Sequence, residues 1–347
     1  MTSRIDKTIA RQQEKIASGA YYEAHQQLRV IAARYIKQAN YNAAAEILAG
    51  GATALLRAGS QQGASASGGD LAIMLVVEVY TKAGWEITGG DDDTEGRARK
   101  KRLIELLHEF PSEEPTRRRF IQEIIGWSGR FGPLERGDPD LHHAAGSVYA
   151  EDHEPYDAEK HLIFGTSESA ETLAKLEFEW YTHDEPHTAA IYASRAVFPY
   201  LLIGNLRSAN KAFLIFTSKL SSSNPSLGVQ EVSSASSDAR VFPALALVNF
   251  ISMLLLTIQR GSSDLFKQLT AHYASQIRDV GLWDDALSQL GEQYFAIKVP
   301  RQSNPLLDMM SGMLFGGGQD NAGARRAPQG RGGSKRVEAP PASLELD

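Results

Sequence analysis

Four basic residues near the start of the chain, Arg4, Lys7, Arg11 and Lys15, recur at spacings of three and four. On a helix that spacing lines their side chains along one face. The chemistry open to such a stripe is docking: it steers towards an acidic protein surface and offers exposed hydrogen-bond donors. The first 40 residues hold seven Lys and Arg against three Asp and Glu, in a chain whose formal net charge is -6. The plainer reading is the charged outer face of a capping helix. A net acidic chain does not suit binding to nucleic acid over its whole surface.

Other reactive residue types are present at spacings that do little. His183 and His187 are four apart, as in a helical metal pair, but Pro186 between them disfavours one continuous helix. They belong to a turn between helices. His142 and His143 are adjacent, so on a helix they diverge by about 100° and cannot share a ligand. Asp91, Asp93, Glu95 and Gly96 resemble a calcium loop, yet its twelfth position is Arg102 where a bidentate glutamate belongs. The basic runs RARKKR (97–102) and RRR (117–119) follow acidic residues and lack interleaved aromatics, which suits solvated helix faces better than phosphate contacts. Phosphate-loop, dinucleotide, zinc-protease and serine-hydrolase motifs are all missing. So is cysteine. The expectation is a protein that is not an enzyme and needs no metal or cofactor.

The segments that position these residues are helical nearly throughout. Leu28, Ile31, Ala32, Tyr35 and Ile36 form one apolar stripe. A second helix is expected from Tyr41 to Leu56, ended by Gly59, followed by a loop GSQQGASASGG and then Asp70 as the N-cap of the next helix. Further helices are expected over 97–109, 116–130, 138–151, 155–164, 167–181, 187–202, 205–219, 243–260, 262–276 and near 281–297. Val241 to Ile258 is the longest apolar stretch, but Pro243, Asn249 and Ser252 interrupt it, so it reads as a buried helix and not a membrane span. The N-terminus lacks the apolar core of a secretory signal, and a cytosolic protein is expected.

Helices of about 15 residues with alanine at packing positions, as in ANYNAAAEIL, suggest an all-α protein. Its architecture would be a right-handed α-solenoid of antiparallel pairs, with degenerate tetratricopeptide-like repeats. The segment 221–243 breaks the pattern. Its runs Val229–Val232 and Ala239–Phe242 flank Ser-Ser-Asp and suit a small β-hairpin, the alternative being a flexible loop. After Phe315 the sequence becomes Gly-, Ala-, Pro- and Arg-rich, and a disordered tail is expected over 315–347. The expected division is 1–150, 151–314 and that tail.

Several blocks together resemble the Golgi-to-ER traffic protein four family: GAYYEAHQQLRVIAARYIKQANYNAAAEIL (19–48), GGDLAIMLVVEVY (68–80), GDPDLHHAAGSVYA (137–150), FISMLLLTIQRG (250–261) and KVPRQSNPLLDMMSGML (298–314). The resemblance implies a scaffold in the guided entry of tail-anchored proteins into the ER membrane, with different partners at its two ends. The N-terminal half would dock the targeting ATPase through Arg11, Lys15, His25, Arg29 and Arg34. Asp70 and Glu78 match acidic positions of a second, regulatory ATPase contact. They lie eight residues apart, which places them on one helical face. The C-terminal half would grip a ubiquitin-like partner, which in turn brings a tetratricopeptide co-chaperone. Val229, Val232, Val241, Phe242, Leu245 and Leu247 are the candidate groove residues, some of them expected to be core. A generic solenoid adaptor of another assembly is the alternative, and an RNA-binding helical repeat using the 97–119 basic residues is a third.

Overall fold

In the computed structural model, residues 4–88, 92–233 and 238–297 are described, all within one unit, Met1–Val299. The block 298–314 and the 315–347 tail lie outside them, as does Asp91.

The helical stripes fold as their periodicity predicts. Along α1 (Arg4–Ala17), Ile5 and Ile9 pack on the core and Ile16 is buried, while Lys7 and Arg11 stay exposed on another face. α2 (Tyr21–Lys37) buries Ala24, His25, Leu28 and Ala32, and α3 (Tyr41–Arg57) buries ten residues, half of them alanines. Asn40 starts α3 by accepting a hydrogen bond from the Ala43 backbone N–H at 3.3 Å. Small side chains let these helices approach closely. A Cβ on Gly51 would meet Leu28 Cδ1 at 2.6 Å, and one on Gly68 would meet the Leu56 backbone nitrogen at 2.8 Å.

That second contact corrects the expected loop. Residues 64–69 are not a loop, and Asp70 is not an N-cap. α4 runs Ala64–Met74 and contains ASASGGD, with Asp70 well inside it. The glycines that resemble breakers in sequence are instead where α4 presses on α3 and on Thr116. Beyond Met74 the helix widens into a π-helical segment, Leu75–Tyr80, before its last turn α5 (Thr81–Ala83). Thr81 donates both its backbone N–H and its hydroxyl to the Val76 carbonyl, which closes the wider turn.

The remaining helices are α6 (Thr94–His108), α7 (Thr116–Phe131), α8 (Pro139–Glu151), α9 (Pro155–Leu162), α10 (Ser169–Tyr181), α11 (Ala189–Leu202), α12 (Leu206–Ser223) and α13 (Ala246–Arg260). α14 (Ser263–His272), α15 (Ala274–Val280) and α16 (Asp284–Phe295) follow. The helix expected over 262–276 is thus two helices, α14 and α15, that meet at Tyr273. Chain neighbours pack on one another: α2 on α3, α3 on α4, α8 on α9, α10 and α11 on α12. The fold is an all-α solenoid with one small hairpin, and its core is continuous from Ile16 to Leu290. The apolar stretch at 241–258 enters α13, which buries Val248, Phe250, Ile251, Leu254, Leu255 and Ile258. Among the described residues no helix is long and apolar enough to cross a membrane.

Candidate functional site

The N-terminal face is built by α1, α2 and α4. Lys15 reaches Glu23 of α2 at 3.5 Å, whereas Arg11 lies exposed. From α2, His25 and Arg29 converge on one carboxylate of α4. His25 Nε2 lies 2.8 Å and Arg29 Nη1 3.2 Å from Asp70 Oδ2. His25 is itself buried, so its ring is a fixed strut, while Arg29 keeps half its side chain in solvent. Arg34 is exposed and lies over its neighbour Tyr35 at 5.7 Å. Tyr22 and Val30 add exposed apolar surface to α2, at 72% and 69%. Among the residues expected to contact an ATPase, the fold therefore joins His25, Arg29 and Asp70 directly. Glu78 is elsewhere engaged: it sits in the π segment and pairs with Lys82 on its own helix at 2.5 Å.

The C-terminal face centres on the hairpin. β1 (Gln230–Ser233) pairs antiparallel with β2 (Asp238–Val241), with Gln230 opposite Val241 and Ser233 opposite Asp238. The connecting residues and the Val232 side chain lie outside the description. β2 is anchored to α12 by Arg240, whose guanidinium donates to Ser218 Oγ at 2.6 Å. Its exit is clamped by Asn249, which accepts from the Phe242 backbone N–H at 2.8 Å and donates to the Phe242 carbonyl at 2.9 Å. Phe242 and Leu245 are 1% and 8% exposed, so these two are core supports of the hairpin and not open groove walls. Val229 and Leu247 are partly buried against the core, and Val241 is partly exposed.

Two surface residues escape a reading of the sequence. Leu214 is 59% exposed and stands one turn before Ser218 on the α12 face that meets β2; Met253, 50% exposed, stands one turn beyond Asn249 on α13. Each occupies the odd slot in a helix otherwise apolar for burial. The available signal was Leu214 falling between the buried Phe213 and Phe216 but out of phase with both.

The basic runs are largely absorbed into structure. Arg117 is buried and paired with Asp152 at 2.5 Å, so the expectation of a solvated face fails there. Lys100 bridges Asp138 and Asp140, and Arg99 lies over the Trp85 ring at 4.4 Å while pairing with Glu95. Asp93 is the N-cap of α6, accepting from Gly96 N–H at 2.7 Å, and the described part of the calcium-like loop is a helix start. Its backbone donors hold the Asp93 carboxyl below the ordinary range. Among the described residues there is no group of three or more His, Cys, Asp or Glu that could hold a metal.

Two buried titratable clusters lie between the faces. Arg195 of α11 donates to Glu159 at 2.7 Å and to Glu177 at 3.0 Å. Burial raises both carboxyls, Glu177 to about 7, and Glu177 Oε1 has no hydrogen-bond partner. One guanidinium shared by two buried acids leaves room for a proton on Glu177. The other cluster is His142 and His161, with Nδ1 atoms 3.1 Å apart. His142 Nε2 faces the Arg136 carbonyl at 2.8 Å and must donate to it, so its Nδ1 accepts from the Nδ1–H of His161. Burial lowers both, His161 to about 4 with the neighbouring His142 adding to the shift.

With this geometry in hand, the likeness to known proteins is decisive. Residues 38–314 match the family Golgi to ER traffic protein 4. The chain belongs to the Golgi to ER traffic protein 4 family. It is 88% identical to Golgi to ER traffic protein 4 of Aspergillus fumigatus over the whole of both chains. It is 31% identical to that of Schizosaccharomyces pombe, over 90% of this chain and 96% of the other. The human homolog is 26% identical over 89% and 86%. The fold is similar to the crystal structure of C. therm. Get4, with TM-score 0.80 and 48% identity over 94% of this chain and all of that one. The resemblance expected from blocks such as YYEAHQ is confirmed.

Proposed function

We propose that this chain is a non-catalytic cytosolic scaffold of the guided-entry pathway. Its N-terminal face docks the targeting ATPase, and its hairpin face holds a ubiquitin-like partner that brings a tetratricopeptide co-chaperone. A tail-anchored substrate then passes between chaperones at high effective concentration and without exposure to water. The observation that supports the reading is the convergence of His25 and Arg29, two proposed anchors, on Asp70, a proposed regulatory contact, with Arg11 exposed on α1.

One arrangement of catalytic residue types is closed. Ser169 Oγ lies 2.9 Å from His143 Nδ1, and His143 Nε2 lies 3.8 Å from Glu168, but Ser169 is fully buried and closed to any substrate. The hairpin supports the second face in physical terms. It is pinned at Arg240 and Asn249 and bordered by exposed Leu214 and Met253, a combination of rigid backbone and open apolar surface suited to an amphipathic partner segment.

The test is a pull-down from native cytosol with the purified full chain as bait. Recovery of a ubiquitin-like protein together with a tail-anchor targeting ATPase supports the scaffold. Recovery of subunits of some other assembly, with neither of those two, replaces it with a generic adaptor.

A further inference from the structure

A groove of 630 Å3 lies where the start of α9 meets the end of α10, walled by Pro155, Tyr156, Leu176 and Trp180, with His153 and Glu179 at its edge. Neither docking face uses it. Tyr156 is 61% exposed, although its ring is large and apolar. The Tyr156 and Trp180 rings stand at 88°, with centroids 5.3 Å apart, an edge-to-face contact that gives the groove an L-shaped aromatic corner.

The corner is fixed by a group outside the groove. Arg195 lies over both rings, 5.2 Å from the Tyr156 centroid and 4.8 Å from that of Trp180. Arg195 is fixed in turn by Glu159 and Glu177. The rings are therefore set before any ligand arrives, which lowers the ordering cost of binding. Perpendicular aromatic walls beside an apolar floor suit the compact, apolar pyrrolidine rings of a peptide in the polyproline II conformation.

The rim adds charge selection. Glu179 is 58% exposed at the groove, with the His153 ring 3.8 Å away, and Glu151, Glu154, Asp184 and Glu185 lie on the adjoining segments. The nearby Arg118 is committed to Glu154 and Asp157. An acidic segment would be repelled here, whereas a cationic side chain meets both a carboxylate and an aromatic face.

We infer that the groove docks an extended, proline-bearing segment of another protein with a lysine or arginine next to the proline. The proline packs into the Tyr156–Trp180 corner and the basic side chain pairs with Glu179.

The probe is a synthetic polyproline peptide carrying one central arginine, titrated into the full chain while following tryptophan fluorescence and binding heat. Saturable binding is expected. Replacing the arginine of the peptide by glutamate should weaken it by about tenfold or more, and Tyr156→Ala should do so to a similar degree with helicity unchanged. Glu179→Gln should weaken the arginine peptide but not an all-proline peptide. No saturable binding would overturn the inference, as would equal binding of a glycine-serine peptide bearing the same arginine. Undiminished binding to Tyr156→Ala would overturn it too. Should Tyr156→Ala lose helicity, Glu179→Lys decides: loss of the arginine peptide supports the site, and retention overturns it.

Discussion

His25 Nε2 lies 2.8 Å from Asp70 Oδ2, and Arg29 approaches that same oxygen at 3.2 Å. One carboxylate on α4 thus holds two α2 residues expected to anchor an ATPase. A partner that engages Asp70 must compete with Arg29 for it, so the two contacts are coupled energetically. Asp70→Asn should leave the fold intact, with Tm shifted by about 2 °C or less, because both Asp70 and Arg29 are well exposed. ATPase affinity measured for Asp70→Asn, Arg29→Ala and the double variant should be non-additive by about 0.5–1 kcal/mol. Strict additivity would mean that Asp70 does not act through Arg29.

Arg11 is exposed and Lys15 makes one long surface pair with Glu23. Arg11→Glu with Lys15→Glu should therefore abolish ATPase binding while stability changes by less than about 1 kcal/mol. Circular dichroism and binding of the ubiquitin-like partner are the controls. Loss of helicity would show that these residues support α1 instead.

Asn249→Ala removes both hydrogen bonds that hold Phe242 at the hairpin exit. It should cost about 1–3 kcal/mol in denaturant unfolding and weaken the ubiquitin-like partner more than the ATPase. An equal loss of both partners would point to general unfolding and not to a local hairpin role.

Glu177 should make the fold less stable as pH rises. Its folded pKa is raised to about 7 from the ordinary 4.5, so below 4.5 both states are protonated and its penalty is absent. Between about 4.5 and 7 the folded state binds the extra proton, and stability falls as pH climbs through that window. Glu177→Gln should flatten this slope, on the order of 2–3 kcal/mol across the window. Thermal melts of both proteins from pH 4.5 to 7.5 read it; identical slopes would contradict a protonated Glu177.

His161 acts with the opposite sign. Its folded pKa is lowered from 6.5 to about 4, so its contribution is intact above 6.5 and lost as pH falls through that interval. His161→Gln should reduce acid sensitivity between about pH 6.5 and 4 in the same melts. An unchanged acid limb would place the acid-labile group elsewhere.

Much of this fold could be read from local pattern. The Leu28–Ala32 stripe and the helix start at Tyr41 are local signals, and both appear in the structure as helix face and helix start. The hairpin was legible because Val229–Val232 and Ala239–Phe242 are β-prone runs around turn residues. Gly68 and Gly69 misled because their role is contact with Leu56 and Thr116, which no local pattern reveals. Phe242 and Leu245 were indistinguishable from groove walls for a related reason: burial depends on the Asn249 clamp and on α13. Arg195 was invisible as an organiser, since its partners Glu177 and Glu159 are 18 and 36 residues away.

The π segment at Leu75–Tyr80 sets the phase of the helix that carries Asp70. A π turn accommodates about one residue more than an α turn, so the portions on either side are offset by roughly 100° from where a uniform helix would put them. Upstream, Asp70 faces α2; downstream, Tyr80 packs between Trp85 and Trp127. Those two addresses on one axis depend on a single surplus residue. Deleting one residue there would restore a regular helix and turn Asp70 away from His25 without replacing any residue of the network, an indel acting as a rotary dial where a substitution cannot.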